Sequence, residues 1–128
     1  MDRWKDPAVL HAAYDDAAGV TAAFNRNLLR RLDRELGADF DLSRFAHRAV
    51  VNEAARRVEM HLVSLEPQTV HLAGERIAFA EGETIWTESS YKYDPETLEA
   101  LAASAGFRIA HLWADAAERF WVVYLQGA

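Results

Sequence analysis

The chain predicts an α+β fold, and three observations carry that expectation. Its first part repeats apolar residues at helical spacing, and its middle alternates apolar and polar residues as strands do. Near the end a second proline-led helix start precedes two strands, the last of them aromatic-rich. We therefore expect two N-terminal helices and an antiparallel sheet, followed by a helix and a β-hairpin.

Asp6-Pro7 reads as a helix start, with Asp6 as N-cap and Pro7 in the first turn. That helix carries Val9, Leu10, Ala13 and Tyr14 and is expected to reach Ala18, where Gly19 breaks it. A second helix runs from Thr21 to the stop at Gly37. Its apolar stripe is expected to be Phe24, Leu28, Leu32 and Leu36, widened by Leu29, with Arg30, Arg31 and Arg34 on the wet side. Asp41 or Ser43 should cap one short turn ending at Phe45.

Strands follow. Val50-Val51 lies in a short one, and Arg57 to Leu65 sets Val58, Met60 and Leu62 against Glu59, His61 and Val63. Thr69–Leu72 and Arg76–Ala80 should pair around Ala73-Gly74-Glu75. Thr84 to Tyr93 completes a set of four or five strands, with Glu88, Ser90 and Lys92 on one face and Thr87, Ser89, Tyr91 and Tyr93 on the other. Asp94-Pro95-Glu96 opens a helix burying Leu98, Leu101, Ala102 and Ala105. Strands at Phe107–Trp113 and Phe120–Leu125 close the chain.

Composition narrows the function. With 128 residues, 51% of them hydrophobic, the chain can bury the core of one domain. Fourteen Lys and Arg against 20 Asp and Glu give a net charge of -6, which disfavours general nucleic-acid binding. The absence of cysteine excludes thiol nucleophiles and thiolate metal sites. No apolar run is long enough for a membrane span and no signal peptide is evident, so the expected compartment is the cytoplasm. The six glycines are isolated, and no GxG nucleotide loop occurs.

The closing order of helix, Ala105-Gly106-Phe107, strand, turn and aromatic strand resembles the carboxyl end of a Rossmann-like methyltransferase. A longer resemblance runs through Ala13-Tyr14-Asp15-Asp16-Ala17-Ala18-Gly19-Val20-Thr21-Ala22-Ala23-Phe24-Asn25-Arg26-Asn27. It continues in Arg34-Glu35-Leu36-Gly37-Ala38-Asp39-Phe40-Asp41, Val58-Glu59-Met60, Thr87-Glu88, Ser90 and Lys92. Together these resemble the histidine-specific, S-adenosylmethionine-dependent methyltransferases of ergothioneine biosynthesis, in their carboxyl-terminal portion only. The resemblance implies that residues 1–93 form a histidine-binding domain and residues 94–128 the terminal helix and hairpin of the methyltransferase sheet. It implies S-adenosylmethionine as cofactor of the complete enzyme, with none expected to bind this chain alone.

Carried over by position, Tyr14 corresponds to the tyrosine holding the amino-acid end of histidine, and Met60 to the apolar wall beside the ring. Glu88 and Ser90 correspond to the pair that binds the imidazole nitrogens. Asn25 and Asn27 lie in the matching run without an implied role.

Each residue also has a plain structural reading. Tyr14 and Met60 could simply pack, and Glu88 could pair with Lys92, which reads as a pair partner rather than a nucleophile. His11, His47, His61, His71 and His111 lack metal-ligand spacing on one element, although His61 and His71 could approach across paired strands. Trp4, Trp86, Trp113 and Trp121 read as core or interface anchors. Ser89 and Ser104 have no accompanying base, so hydrolase chemistry is unsupported.

Three assignments are compatible with the residues. The chain is a fragment inactive by itself, or a subunit of a split enzyme meeting a separate cofactor-binding chain. Alternatively, it is a non-catalytic module for amino-acid binding or association. The apolar strand Phe120–Leu125 leaves an open edge, so a homodimer or hetero-complex is expected.

Overall fold

The computed structural model describes residues 1–128 and has the α+β architecture expected. Helix α1 (Pro7–Tyr14) and helix α2 (Val20–Leu36) lead through a short 3₁₀ turn (Leu42–Arg44) into β1 (Phe45–Asn52) and β2 (Arg57–Ser64). Then come β3 (Gln68–Leu72), β4 (Glu75–Phe79), β5 (Thr84–Tyr91), α3 (Pro95–Ser104), β6 (Phe107–Ala114) and β7 (Trp121–Gly127). No helix is long and apolar enough to cross a membrane.

Helix α1 stops at Tyr14, four residues short of the expected end. Asp16 explains the difference: its carboxylate accepts hydrogen bonds from the amides of Val20 (3.0 Å) and Thr21 (2.8 Å), capping α2 instead of prolonging α1. The Thr21 and Val20 amides hold the Asp16 carboxyl at about 2, below its ordinary 3.8. Its folded value is depressed, so its contribution to stability is complete above about pH 4 and is lost as pH falls through about 2. Asp16→Ala should therefore lower the melting temperature at pH 7, and thermal scans should show the gap closing toward pH 2.

Helix α2 turns inward only part of the stripe its leucine spacing suggests: Leu29 is buried and Leu32 packs against the core, with Asn25 beside them. Asn25 and Leu29 are buried, whereas Phe24 and Leu36 are 67% and 54% exposed and Leu28 is 38% exposed. Arg30, Arg31 and Arg34 face solvent as expected. Gly37 ends the helix in the left-handed region at φ 65°, where a side chain would be strained.

The middle strands form two sheets rather than one. Strands β1, β2 and β5 make an antiparallel sheet with β2 central, and β3 and β4 form a separate hairpin. Ala73 and Gly74, both at positive φ, make that hairpin's two-residue turn. Strand β1 is eight residues long, so the expected short strand at Val50-Val51 is only its end.

Helices α1 and α2 cover one face of the three-stranded sheet. The main core there joins Leu29, Phe40, Phe45, Leu62, Val70 and Phe79, bringing α2, the sheet and the β3–β4 hairpin together. A second cluster packs Leu10 on Ala49 and Val58, with Trp4, Tyr14 and Val51 around it. The opposite face carries a polar layer: Glu59 accepts from Arg57 (2.8 Å) and Asn52 (3.0 Å), and His61 stacks on Trp86 at 5.6 Å.

At Asp94, both hydrogen bonds of a capping box with Thr97 are present, which fixes the start of α3. Only Leu98 and Ala102 of its expected apolar residues are buried; Leu101 is 47% exposed. Strands β6 and β7 pair only with each other. Of the four tryptophans, Trp121 alone is fully buried, while Trp86 and Trp113 are about half exposed (50% and 54%).

Candidate functional site

A cleft of about 210 Å³ opens between α2 and β5, lined by Phe24, Asn25, Leu28, Arg31, Met60 and Glu88, with Asn27 and Thr87. It is smaller than the roughly 300–1,000 Å³ of drug-sized sites. Apolar walls and a few convergent polar groups suit a small polar ring.

A register slip builds it. Met60 pairs with Glu88 and His61 with Trp86, so Thr87 has no cross-strand partner. This bulge turns Thr87, expected on the opposite face, toward α2. Its hydroxyl lies 2.7 Å from Asn25 Oδ1 and 2.9 Å from the Met60 carbonyl, a shared donation. Asn25 Nδ2 donates to the His61 carbonyl (3.1 Å), which fixes the orientation of the amide. The same nitrogen meets His47 Nδ1 at 3.0 Å, so that ring atom accepts. His47 Nε2–H then donates to the Tyr14 carbonyl at 2.8 Å. A partly buried chain of hydrogen bonds thus runs from the Thr87 bulge to the end of α1. Asn25 is a scaffold residue at the cleft floor, and the cue for it was a polar residue between Phe24 and Leu28–Leu29.

Glu88 stands beside the bulge at the cleft mouth, exposed, and its carboxylate has no hydrogen-bond or ion-pair partner within the chain. The suggested Glu88–Lys92 pair does not form. Lys92, its side chain 1% exposed, instead binds Asp2 at 2.9 Å. Burial pushes the Asp2 carboxyl up, but hydrogen bonds from Lys5 and Lys92 outweigh it and leave it below its ordinary value.

Two residues beyond Glu88, Ser90 Oγ lies 2.7 Å from Tyr14 Oη. Lys92 Nζ donates to both, at 2.6 Å to Tyr14 and 2.8 Å to Ser90. The structure therefore brings Met60 and Glu88 together in the cleft and joins Tyr14 and Ser90 in an adjoining cluster. Tyr14, whose implied place was the amino-acid end of a ligand, presents its hydroxyl on the Ser90 side. Phe24, Leu28, Arg31, Thr87 and His47 complete the surroundings. Their contribution depends on helix rotation and the bulge, which no local pattern in the sequence marks.

The histidines are engaged separately. His61 Nε2 meets Glu59 (3.2 Å) and His71 Nδ1 meets Asp39 (2.9 Å). His61 and His71 lie in different sheets and do not approach across paired strands. No group of three His, Asp or Glu side chains is placed to hold a metal ion.

A larger cavity of about 510 Å³ lies between α3 and the β6–β7 hairpin, with only hydrophobic residues around it. It has no polar group to orient a small polar ligand, so the smaller cleft is the better candidate.

The family pattern for histidine-specific, S-adenosylmethionine-dependent methyltransferases matches residues 1–127. The histidine N-alpha-methyltransferase of Mycolicibacterium smegmatis is 49% identical over 121 residues, covering 93% of this chain and 38% of that protein. The histidine N-alpha-methyltransferase of Mycobacterium tuberculosis is 43% identical over the same shares. N-methyltransferase benX of Aspergillus terreus is 27% identical over 98% of this chain and 36% of its own length. The chain thus spans little more than a third of each of these relatives.

Proposed function

Because the chain belongs to the histidine-specific, S-adenosylmethionine-dependent methyltransferase family, we propose that it is the family's carboxyl-terminal, substrate-recognising portion. Residues 1–93 hold histidine and residues 94–128 join the rest of the methyltransferase fold, in the cytoplasm. The observation that carries this reading is the unpaired Glu88 carboxylate at a small cleft, two residues before Ser90 on the helix-covered face. Residues two apart on a strand are roughly 7 Å apart. That is about the span of a five-membered ring with a hydrogen bond of about 2.8 Å at each end.

In this arrangement Glu88 accepts from one imidazole nitrogen, Ser90 serves the other, and Met60 forms the wall. The ring so fixed leaves the α-amine directed out of the cleft. S-adenosylmethionine would supply the methyl group in the complete enzyme. This chain's residues do not fit that cofactor: its glycines stand singly, and neither cavity joins a glycine-rich loop to a helix N-terminus. The cofactor site is therefore assigned to polypeptide outside residues 1–128, without which the chain is inactive.

The hairpin supports a partner for that role. Phe120, Val122 and Leu125 are 49%, 59% and 41% exposed, and Trp113 and Tyr124 add 54% and 56%. A two-stranded hairpin with apolar side chains exposed on both faces is unstable by itself and invites cover. The cover proposed is the remaining part of the methyltransferase fold, in the same polypeptide or a separate one. The second reading, a homodimeric association module, rests on the same surface. Val122→Asp should abolish association in sedimentation while leaving the fold intact, because Val122 already faces solvent. A wild-type chain that sediments as a monomer with and without the complementary half would remove both forms of this proposal.

The direct test is calorimetric titration with histidine, with and without the amino-terminal portion of a relative. Saturable heat is expected with the complementary half present. Its absence in both settings would leave only the association module.

A further inference from the structure

Lys92 is a buried charge outside the lining of the cleft. Its ammonium has three protons and three acceptors: Tyr14 Oη (2.6 Å), Ser90 Oγ (2.8 Å) and Asp2 Oδ2 (2.9 Å). None is left for a ligand, so Lys92 can act on one only through the two hydroxyls. Each hydroxyl oxygen already accepts from Lys92, and they lie 2.7 Å apart, so one O–H spans the gap between them. The phenol is the more acidic of the two and the better donor. Ser90 Oγ then accepts from both Lys92 and Tyr14, which fills its two lone pairs. Its own proton is left to point away from the cluster.

We propose that Lys92 is a specificity-determining positioning residue: with Tyr14 it makes Ser90 an obligate donor, so the site takes a neutral imidazole in a single tautomer. Glu88 can only accept and receives the ring N–H. Ser90 can only donate and requires the bare ring nitrogen. An imidazolium presents a second N–H to a hydroxyl with no free lone pair. The inference rests on the assignment of Glu88 and Ser90 to the ring. The other charged or titratable groups nearby are Arg31, engaged with Glu35 at 3.2 Å, Asp2, which Lys5 also binds, and His47, bonded to Asn25 and the Tyr14 carbonyl, whose effect the triazole shares.

Histidine is titrated calorimetrically from pH 8 to pH 5 into the chain with its complementary half. The parallel titrant is 1,2,4-triazolylalanine, which offers an N–H and a bare nitrogen but stays neutral over this range. With an imidazole that titrates near 6.5, wild-type affinity for histidine should fall about 30-fold while that for the triazole stays flat. In Lys92→Met the Ser90 lone pair is freed, and the histidine fall should shrink to less than about 3-fold. Should Lys92→Met fail to fold, Tyr14→Phe removes the other donor into Ser90 Oγ, frees a lone pair there, and should flatten the profile too. A wild-type slope shared by the triazole, or an unchanged histidine slope in the folded Lys92→Met or Tyr14→Phe variant, would overturn the inference alone. No binding of either titrant at pH 8 would overturn the underlying assignment and the inference with it.

Discussion

Replacing Glu88 with alanine should weaken histidine binding by about 1–3 kcal/mol, or roughly 5–150-fold, the usual cost of removing one partner from a desolvated charged hydrogen bond. The melting temperature should stay the same, because the carboxylate is exposed and bonds to nothing else in the chain. That separation makes the substitution decisive: a residue of the scaffold would lower both quantities together. Glu88→Gln, which keeps an acceptor oxygen but loses the charge, should fall between wild type and alanine. Calorimetry and a thermal scan on the same preparations check it. An unchanged affinity would remove Glu88 from the site.

Phe45→Ala should give the largest loss of stability, about 3–5 kcal/mol for a fully buried aromatic whose removal leaves a cavity. Phe45 is 0% exposed and meets Phe40 edge-on at 5.7 Å and Phe79 at 5.5 Å. It is the contact through which β1, the β3–β4 hairpin and the segment after α2 share one core. Denaturant titration measures the loss, and the melting temperature should drop on the order of 10–20 °C. Leu36→Ala is the contrast. Leu36 belongs to the expected stripe of α2 but is 54% exposed, so its truncation should stay within about 0.5 kcal/mol.

That contrast shows why helix α2 was legible in extent but only partly in orientation, since Leu29 and Leu32 do meet the core. Gly37 and the apolar spacing mark its end and length. Which face turns inward depends on what Asn25 can reach. Its amide finds the His61 carbonyl, His47 and Thr87, and a buried amide with three partners holds the helix where the leucines alone would not. Phe24 and Leu28 are thereby left to line the cleft.

Helix α1 shows the same competition on a smaller scale. The run to Ala18 has nothing against helix in its composition, yet Asp16 gains more from the amides of Val20 and Thr21 than from another turn. The capping residues Asp6, Asp41 and Asp94 were readable because each acts on its own neighbours. Strand pairing was less so. The alternation in Arg57–Leu65 gives a strand but not its neighbours, and the division into two sheets is a matter of pairing between segments distant in the chain.

The sequence by itself determined the α+β class, the caps Asp6, Asp41 and Asp94, a hairpin turn within Ala73-Gly74-Glu75 and the family, because each depends on local chemistry or on residue identity in order; the fold tightens that turn to Ala73-Gly74. It also placed Glu88 and Ser90 on one face, since strand alternation is local. Only the tertiary structure decided that Thr87 bulges toward α2 and that Lys92 answers to Asp2, Tyr14 and Ser90 rather than to Glu88. Those outcomes set groups far apart in the chain competing for the same few hydrogen bonds. Such a competition is resolved by packing, which no single segment contains.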